Sequence, residues 1–243
     1  GGSLLYAVSG LDSRPTVDVD FMADRISRDR KFLFQAFTEI LGIVCSEDGV
    51  SFDVDSIKFE PITVEKKYPG TRFYFIAHMD TIVYNMSVDI GFGDVVTPCP
   101  TTIDFPLLLS DIPSVNIKAY SLETVVAEKF HTMIDRDVLN SRMKDFFDCY
   151  QLLTKKNLDD NVLYDAIKAT FDNRGLSYNP ELQLFSEYFA TDIERTGRWK
   201  AFLKKIQWKE PIDFELVMQV IRQRLQPMAE RYWGKNHTEK ETF

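Results

Sequence analysis

The chain of 243 residues is 44% hydrophobic and 13% aromatic, enough for one large domain or two modest ones with a substantial core. Its net charge of −8 excludes a general attraction to polyanions, so a nucleic acid would have to be met by a local basic patch. No apolar run of about 18 residues exists to span a bilayer, and no signal peptide is visible. The cysteines, Cys45, Cys99 and Cys149, form neither a CxxC pair nor an even disulfide framework, so a reducing, cytoplasmic setting is expected. The chain starts Gly1-Gly2-Ser3 without an initiator Met, as a fragment or a processed chain would.

In chain order, residues 3–9 read as a short helix and 16–22 as a strand. Residues 31–42 (KFLFQAFTEILG) form an amphipathic helix that stops at Gly42. Strands are expected around 50–64, 71–79, 86–92 and 115–120. From Ser121 onward the spacing is helical: 121–136, 144–156, 160–172, 198–207 and 213–231. Ser121 is suited to cap the first of these helices, and Pro211 precedes the last. The expectation is an α+β domain over 1–120, followed by an all-helical domain over 121–243.

The stretch SRPTVDVDFMADR carries two carboxylates in an apolar strand. Side chains alternate, so Asp18 and Asp20 share one face at roughly 7 Å Cα spacing, while Val17, Val19 and Phe21 share the other, which must pack on the core. Like charges that close repel, and a divalent cation relieves the repulsion. A second strand, MSVDIGFGD, places Asp89 opposite a face of Met86, Val88, Ile90 and Phe92. If the two strands are neighbours, Asp89 completes a three-carboxylate cluster able to hold two metal ions about 3.5–4 Å apart, the arrangement used for in-line phosphoryl transfer. A solvated strand face is the plainer reading of Asp18 and Asp20 alone.

In SLETVVAEKFHTMIDR, residues Leu122, Val125, Val126, Phe130 and Met133 make an apolar stripe. Lys129 projects into its middle and Arg136 close to it. A lysine there either snorkels or is a cation aimed at phosphates. In SRMKDFFDCYQLL, Asp145 falls at the edge of the packed face and Asp148 further toward the polar side. Asp145 is the stronger candidate for orienting or deprotonating an attacking group; it is equally able to form a structural bridge to Lys129 or Arg136.

Taken together, GGSLLYAVSG, RPTVDVDF, VDI at 88–90, YSLETVVAEKFHTMIDR and RMKDFFDCYQL resemble the AbiEii/AbiGii toxin family of nucleotidyltransferases, in the family's order and approximate spacing. The likeness lies mainly in residues 1–22 and 86–153; the tail after about 160 resembles nothing by motif. It implies a fold of the DNA polymerase β type with a mixed sheet, the helical domain completing the cleft. It implies that Asp18, Asp20 and Asp89 hold Mg²⁺ (two ions, with Mn²⁺ as a substitute) and that Lys129 and Asp145 join them as catalytic residues. Gly2 and Ser3 would contact the nucleotide phosphates, with Arg14, Lys129, Arg136 and Asp148 as further nucleotide-binding candidates. The implied partners are an NTP, an acceptor such as tRNA, and a cognate antitoxin. The chain departs from the family at RMKD, where RxRD is commoner.

Residues 195–209 hold six basic residues among Trp199 and Trp208, either a nucleic-acid patch or an amphipathic helix with its aromatics turned inward. The histidines lack zinc-ligand spacing, no GxSxG elbow is present, and RFYFIAH reads as a core strand. Two functional readings remain open at this level: a metal-dependent nucleotidyltransferase, and an inactive protein of the same fold that binds a protein partner.

Overall fold

The computed structural model describes residues 1–17, 19–62, 70–107 and 114–240; Asp18 and the end of the strand expected over 50–64 lie outside them. The elements in chain order are α1 (Gly2–Ser9), β1 (Val19–Ala23), α2 (Arg30–Leu41), β2 (Val50–Ile62), β3 (Gly70–Met79), β4 (Ile82–Phe92), β5 (Thr101–Phe105), β6 (Val115–Ala119), α3 (Leu122–Arg136), α4 (Met143–Lys155), α5 (Asp160–Arg174), α6 (Glu187–Thr191), α7 (Ile193–Lys205) and α8 (Phe214–Lys240). The expected strands and longer helices are all present, but β4 starts four residues and α7 five residues earlier than expected, and α8 runs nine residues further. Strand β5 and helix α6, five residues each, are not among the expected elements. The chain divides into two compact units: Gly1–Asp94 with Asp104–Ile117, and Val95–Ile103 with Lys118–Phe243.

The first unit is built on a mixed four-stranded sheet of order β1-β4-β3-β2. Strand β1 runs parallel to β4; the other neighbours are antiparallel. One face buries Ile57, Phe73, Phe75, Val88, Ile90 and Phe92 against Leu33 and Leu41 of α2, with Phe37 also packed there. Phe37 stacks on Phe73 at 4.0 Å between ring centroids, and Phe52 meets Phe75 edge-on. Helix α2 starts at Asp29, whose side chain accepts from the Phe32 N–H. The expected core face of β1 is only partly realised. Val19 and Ala23 pack on the core, but Phe21 is 54% exposed and Val17 is more exposed still. The reason is position: β1 is an edge strand, and its outer flank has no neighbouring strand to cover it.

The second unit is helical. Ser121 caps α3 as expected, accepting from the Thr124 N–H at 3.2 Å, and its hydroxyl donates to the Thr97 carbonyl at 2.5 Å. Phe130, Phe146, Phe147, Phe171, Phe189, Trp199 and Phe214 are fully buried. Trp199 donates its indole N–H to the Ile212 carbonyl at 2.7 Å, and Phe147 contacts the rings of Trp199, Phe202 and Trp208. The aromatics of the basic segment 195–209 are therefore packing residues, while Lys200, Lys204, Lys205 and Lys209 lie exposed. Among the described residues, no helix is long and apolar enough to cross a membrane.

Phe73 is the most enclosed side chain of the first unit, with no exposed surface. Phe73→Ala is expected to lower stability by about 3–5 kcal/mol, seen as a reduced urea midpoint.

Candidate active site

The register of the sheet decides where the carboxylates fall. Asp20 on β1 is the direct partner of Asp89 on β4. Register partners on neighbouring strands project from the same face, so the two acids stand side by side on the face opposite the core. Asp20 is half-exposed. The same row continues across the sheet: Asp89 is opposite Arg72 on β3, and Arg72 is opposite Glu60 on β2.

Arg72 grips Asp89 with a two-pronged fork, Nε to Oδ1 at 2.5 Å and Nη2 to Oδ2 at 2.6 Å. The hydrogen bonds to Asp89 hold the guanidinium pKa above its already high ordinary value. Arg72 lies in the segment read as a plain core strand. Alternation gives the missed signal: Phe73, Phe75 and Ala77 are buried, so Arg72 must face the other way.

Helix α1 begins beside this row. The Gly1 backbone nitrogen is 3.8 Å from Asp20 Oδ2. A Cβ on Gly1 would stand 1.6 Å from that oxygen, and one on Gly2 would stand 2.5 Å from Thr16 Oγ1. The glycine pair is thus what lets the start of α1 approach the carboxylate strand. Ser3 follows in the first turn of α1, and Arg14 is buried, donating to the Pro15 carbonyl at 3.3 Å. Asp18 lies outside the described residues; among those described, no group of three or more metal-ligating side chains is assembled. Carboxylate oxygens such as those of Asp20 and Asp89 are nonetheless the hard donors that Mg²⁺ or Mn²⁺ prefers, and among the described residues no cationic side chain is clamped on Asp20 as Arg72 is on Asp89.

The second unit holds its own cluster. Lys129 Nζ lies 3.0 Å from Asp145 Oδ1 and 2.7 Å from Asp148 Oδ2, and Arg142 Nε donates to Asp145 Oδ2 at 2.6 Å. Asp145 and Asp148 are 2% and 1% exposed and Lys129 is 12% exposed. The position inferred for Asp148, toward the polar side, is corrected: α4 packs with both aspartates turned inward, because Lys129 in the apolar stripe of α3 needs two counter-charges. Of the bridging partners considered for Asp145, Lys129 is the one used; Arg136 is exposed in the last turn of α3. Arg142 is the contributor the sequence reading passed over. Burial alone would pull the Lys129 ammonium down, but the charges of Asp148 and Asp145 outweigh it and hold it above the ordinary lysine value. Burial likewise pushes the Asp145 carboxyl up, and Lys129 and Arg142 more than reverse this, leaving it below the usual carboxylate range.

The mixed α+β architecture with strands early and helices late is that of a nucleotidyltransferase. The chain belongs to the family of nucleotidyl transferase AbiEii toxins of type IV toxin–antitoxin systems, whose family model matches residues 1–220. Among solved structures, it is similar to JHP933 from Helicobacter pylori, at 13% identity and a TM-score of 0.49, covering 99% of this chain and 86% of that one. A second H. pylori protein, assigned as a nucleotidyltransferase, matches at 12% identity and a TM-score of 0.47 over 95% of this chain and 84% of that one. No curated protein matches the chain.

The buried quartet yields two expectations. Lys129→Met leaves two enclosed carboxylates without their main counter-charge and is expected to cost about 3–5 kcal/mol at neutral pH, measured by chemical denaturation. Because the folded-state pKa of Asp145 is depressed, the unfolded chain binds more protons in acid. The stabilisation is complete above the ordinary carboxylate pKa of about 4 and is lost as pH falls through the lower folded value. In an acid-unfolding series, Asp145→Asn should be less stable than the parent at pH 7, and the gap should narrow toward low pH.

Proposed function

We propose that the chain is a divalent-metal-dependent nucleotidyltransferase that moves a nucleoside monophosphate from an NTP to an acceptor, with release of pyrophosphate, as the toxin of a type IV pair. The observation that carries this reading is the Asp20–Asp89 register, which joins carboxylates from two distant segments on one open sheet face. Asp20 and Asp89, with Asp18, would hold Mg²⁺. The metal would supply charge neutralisation at the phosphates and ease deprotonation of the acceptor hydroxyl.

The protein's own groups have separable tasks in this reading. The first turn of α1, brought beside Asp20 by Gly1 and Gly2, presents the N-terminal end of a helix to phosphate oxygens. Ser3 adds a hydroxyl in the same turn. Lys129, in the helical unit, keeps one ammonium donor beyond the two held by Asp145 and Asp148. In this reading the toxin acts in the cytoplasm, where a cognate antitoxin opposes it, and tRNA is the acceptor to test first.

The test is incubation with Mg²⁺, a tRNA pool and each α-labelled NTP in turn. Transfer of label from at least one NTP is expected. Asp20→Asn should reduce transfer by roughly 100-fold or more, the scale of losing a group that stabilises phosphoryl transfer, while melting like the parent. Absence of transfer with all four NTPs, or full activity in Asp20→Asn, would replace this reading with that of a partner-binding module.

A further inference from the structure

The fork between Arg72 and Asp89 has a consequence for how a cation enters the carboxylate row, and the inference rests on the reading that Asp20 and Asp89 hold the metal. Both Asp89 oxygens are engaged by one rigid guanidinium. That guanidinium stays ionised at any physiological pH. It therefore already occupies, beside Asp89, the electrostatic role a metal ion would take. Within the row, Arg72 offsets one of the negative charges carried by Asp20, Asp89 and Glu60. An incoming divalent ion thus meets a site one unit of negative charge weaker than its carboxylates alone would make it.

Exposure makes the arrangement exchangeable. The Arg72 side chain is 41% exposed and Asp89 22%. Solvent and other ions therefore reach the pair, and opening it does not strand either charge in a dry interior. Its release lets the guanidinium turn to a different bidentate anion, and phosphate matches its fork as well as carboxylate does.

We propose that Arg72 is a positioning residue that keeps free divalent cations out of the Asp20–Asp89 pair and yields Asp89 when a metal arrives together with a triphosphate. In the resting chain Arg72 holds the Asp89 carboxylate toward β3, on the side of β4 away from Asp20. The nucleotide's phosphates then take over the guanidinium as the metal takes over the carboxylate. Metal entry and nucleotide entry are thereby coupled through one side chain. If Arg72 served only to orient Asp89, its loss would loosen the carboxylate and weaken cation binding, which is the opposite sign.

The experiment is titration of the nucleotide-free chain with Mn²⁺, followed by electron paramagnetic resonance of the unbound ion. Parent, Arg72→Gln, Arg72→Lys, Asp20→Asn and the double variant Arg72→Gln with Asp20→Asn are compared. Arg72→Gln should bind Mn²⁺ about tenfold tighter than the parent, the scale set by removing one nearby like charge. Arg72→Lys, which keeps the charge but not the fork, should lie between them and guards against a folding defect in the glutamine variant. Asp20→Asn should erase the gain in the double variant. Equal or weaker binding in Arg72→Gln, with binding still dependent on Asp20, overturns the role of Arg72 and leaves the Asp20–Asp89 reading standing. A gain that survives Asp20→Asn places the cation elsewhere and overturns both.

Discussion

The parallel register of β1 on β4 is the constraint on which the first unit's chemistry depends. It sets Asp20 directly beside Asp89 on a face the core does not claim. Shifting β1 by one residue would turn both its acidic and its apolar positions to the wrong faces. The core fixes this register: Val19 and Ala23 pack with Val88, Ile90 and Phe92 beneath α2. The hydrophobic side of the sheet thus chooses the partner of each carboxylate on the polar side. Two acids so placed demand a positive charge, and Arg72, one strand further along the same row, provides one within the chain.

Much of this was legible from alternation alone. The face of Asp89 and the shared face of Asp20 follow from a period of two, and the buried Lys129 from a period of 3.6. What alternation does not give is which strands are neighbours. Arg72 nevertheless had a readable signal. Met79 pairs with Ile82 around a two-residue turn, and seven steps back along β3 matched with seven forward along β4 bring Arg72 opposite Asp89. Starting the second strand at residue 86 instead of 82 hid that turn and the arginine with it. The exposure of Phe21 was not legible, because an edge strand and an inner strand share the same pattern until the strand order is known. The inward turn of Asp148 escaped for a related reason. Its place on the α4 wheel looks peripheral until a lysine from α3 is brought against it.

The glycine pair at the start of α1 shows a different kind of information. Glycine there has no side chain to pack, and at the N-cap it is tolerated well. Its meaning appears only with Asp20 and Thr16 in place, where any Cβ would collide with them. A small residue thus records how near two segments come, which composition and periodicity do not express.

The two charged clusters answer the same electrostatic problem at different depths, and depth decides what each is able to do. Lys129, Asp145 and Asp148 are enclosed, so opening either pair strands a charge in a low-dielectric interior at a cost of about 3–5 kcal/mol. That cluster fixes α3 against α4 and does not exchange its members; Lys129 meets any further anion only through the donor it has left. Arg72 and Asp89 stand at the solvent boundary, where water and other ions are at hand to replace either partner as the pair opens. A reaction that must admit and release a highly charged substrate on every cycle needs a site whose own ion pairs open that easily. Of the two clusters, the row on the sheet face is the one whose ion pair opens into solvent, and the enclosed cluster is the one that holds its helices together.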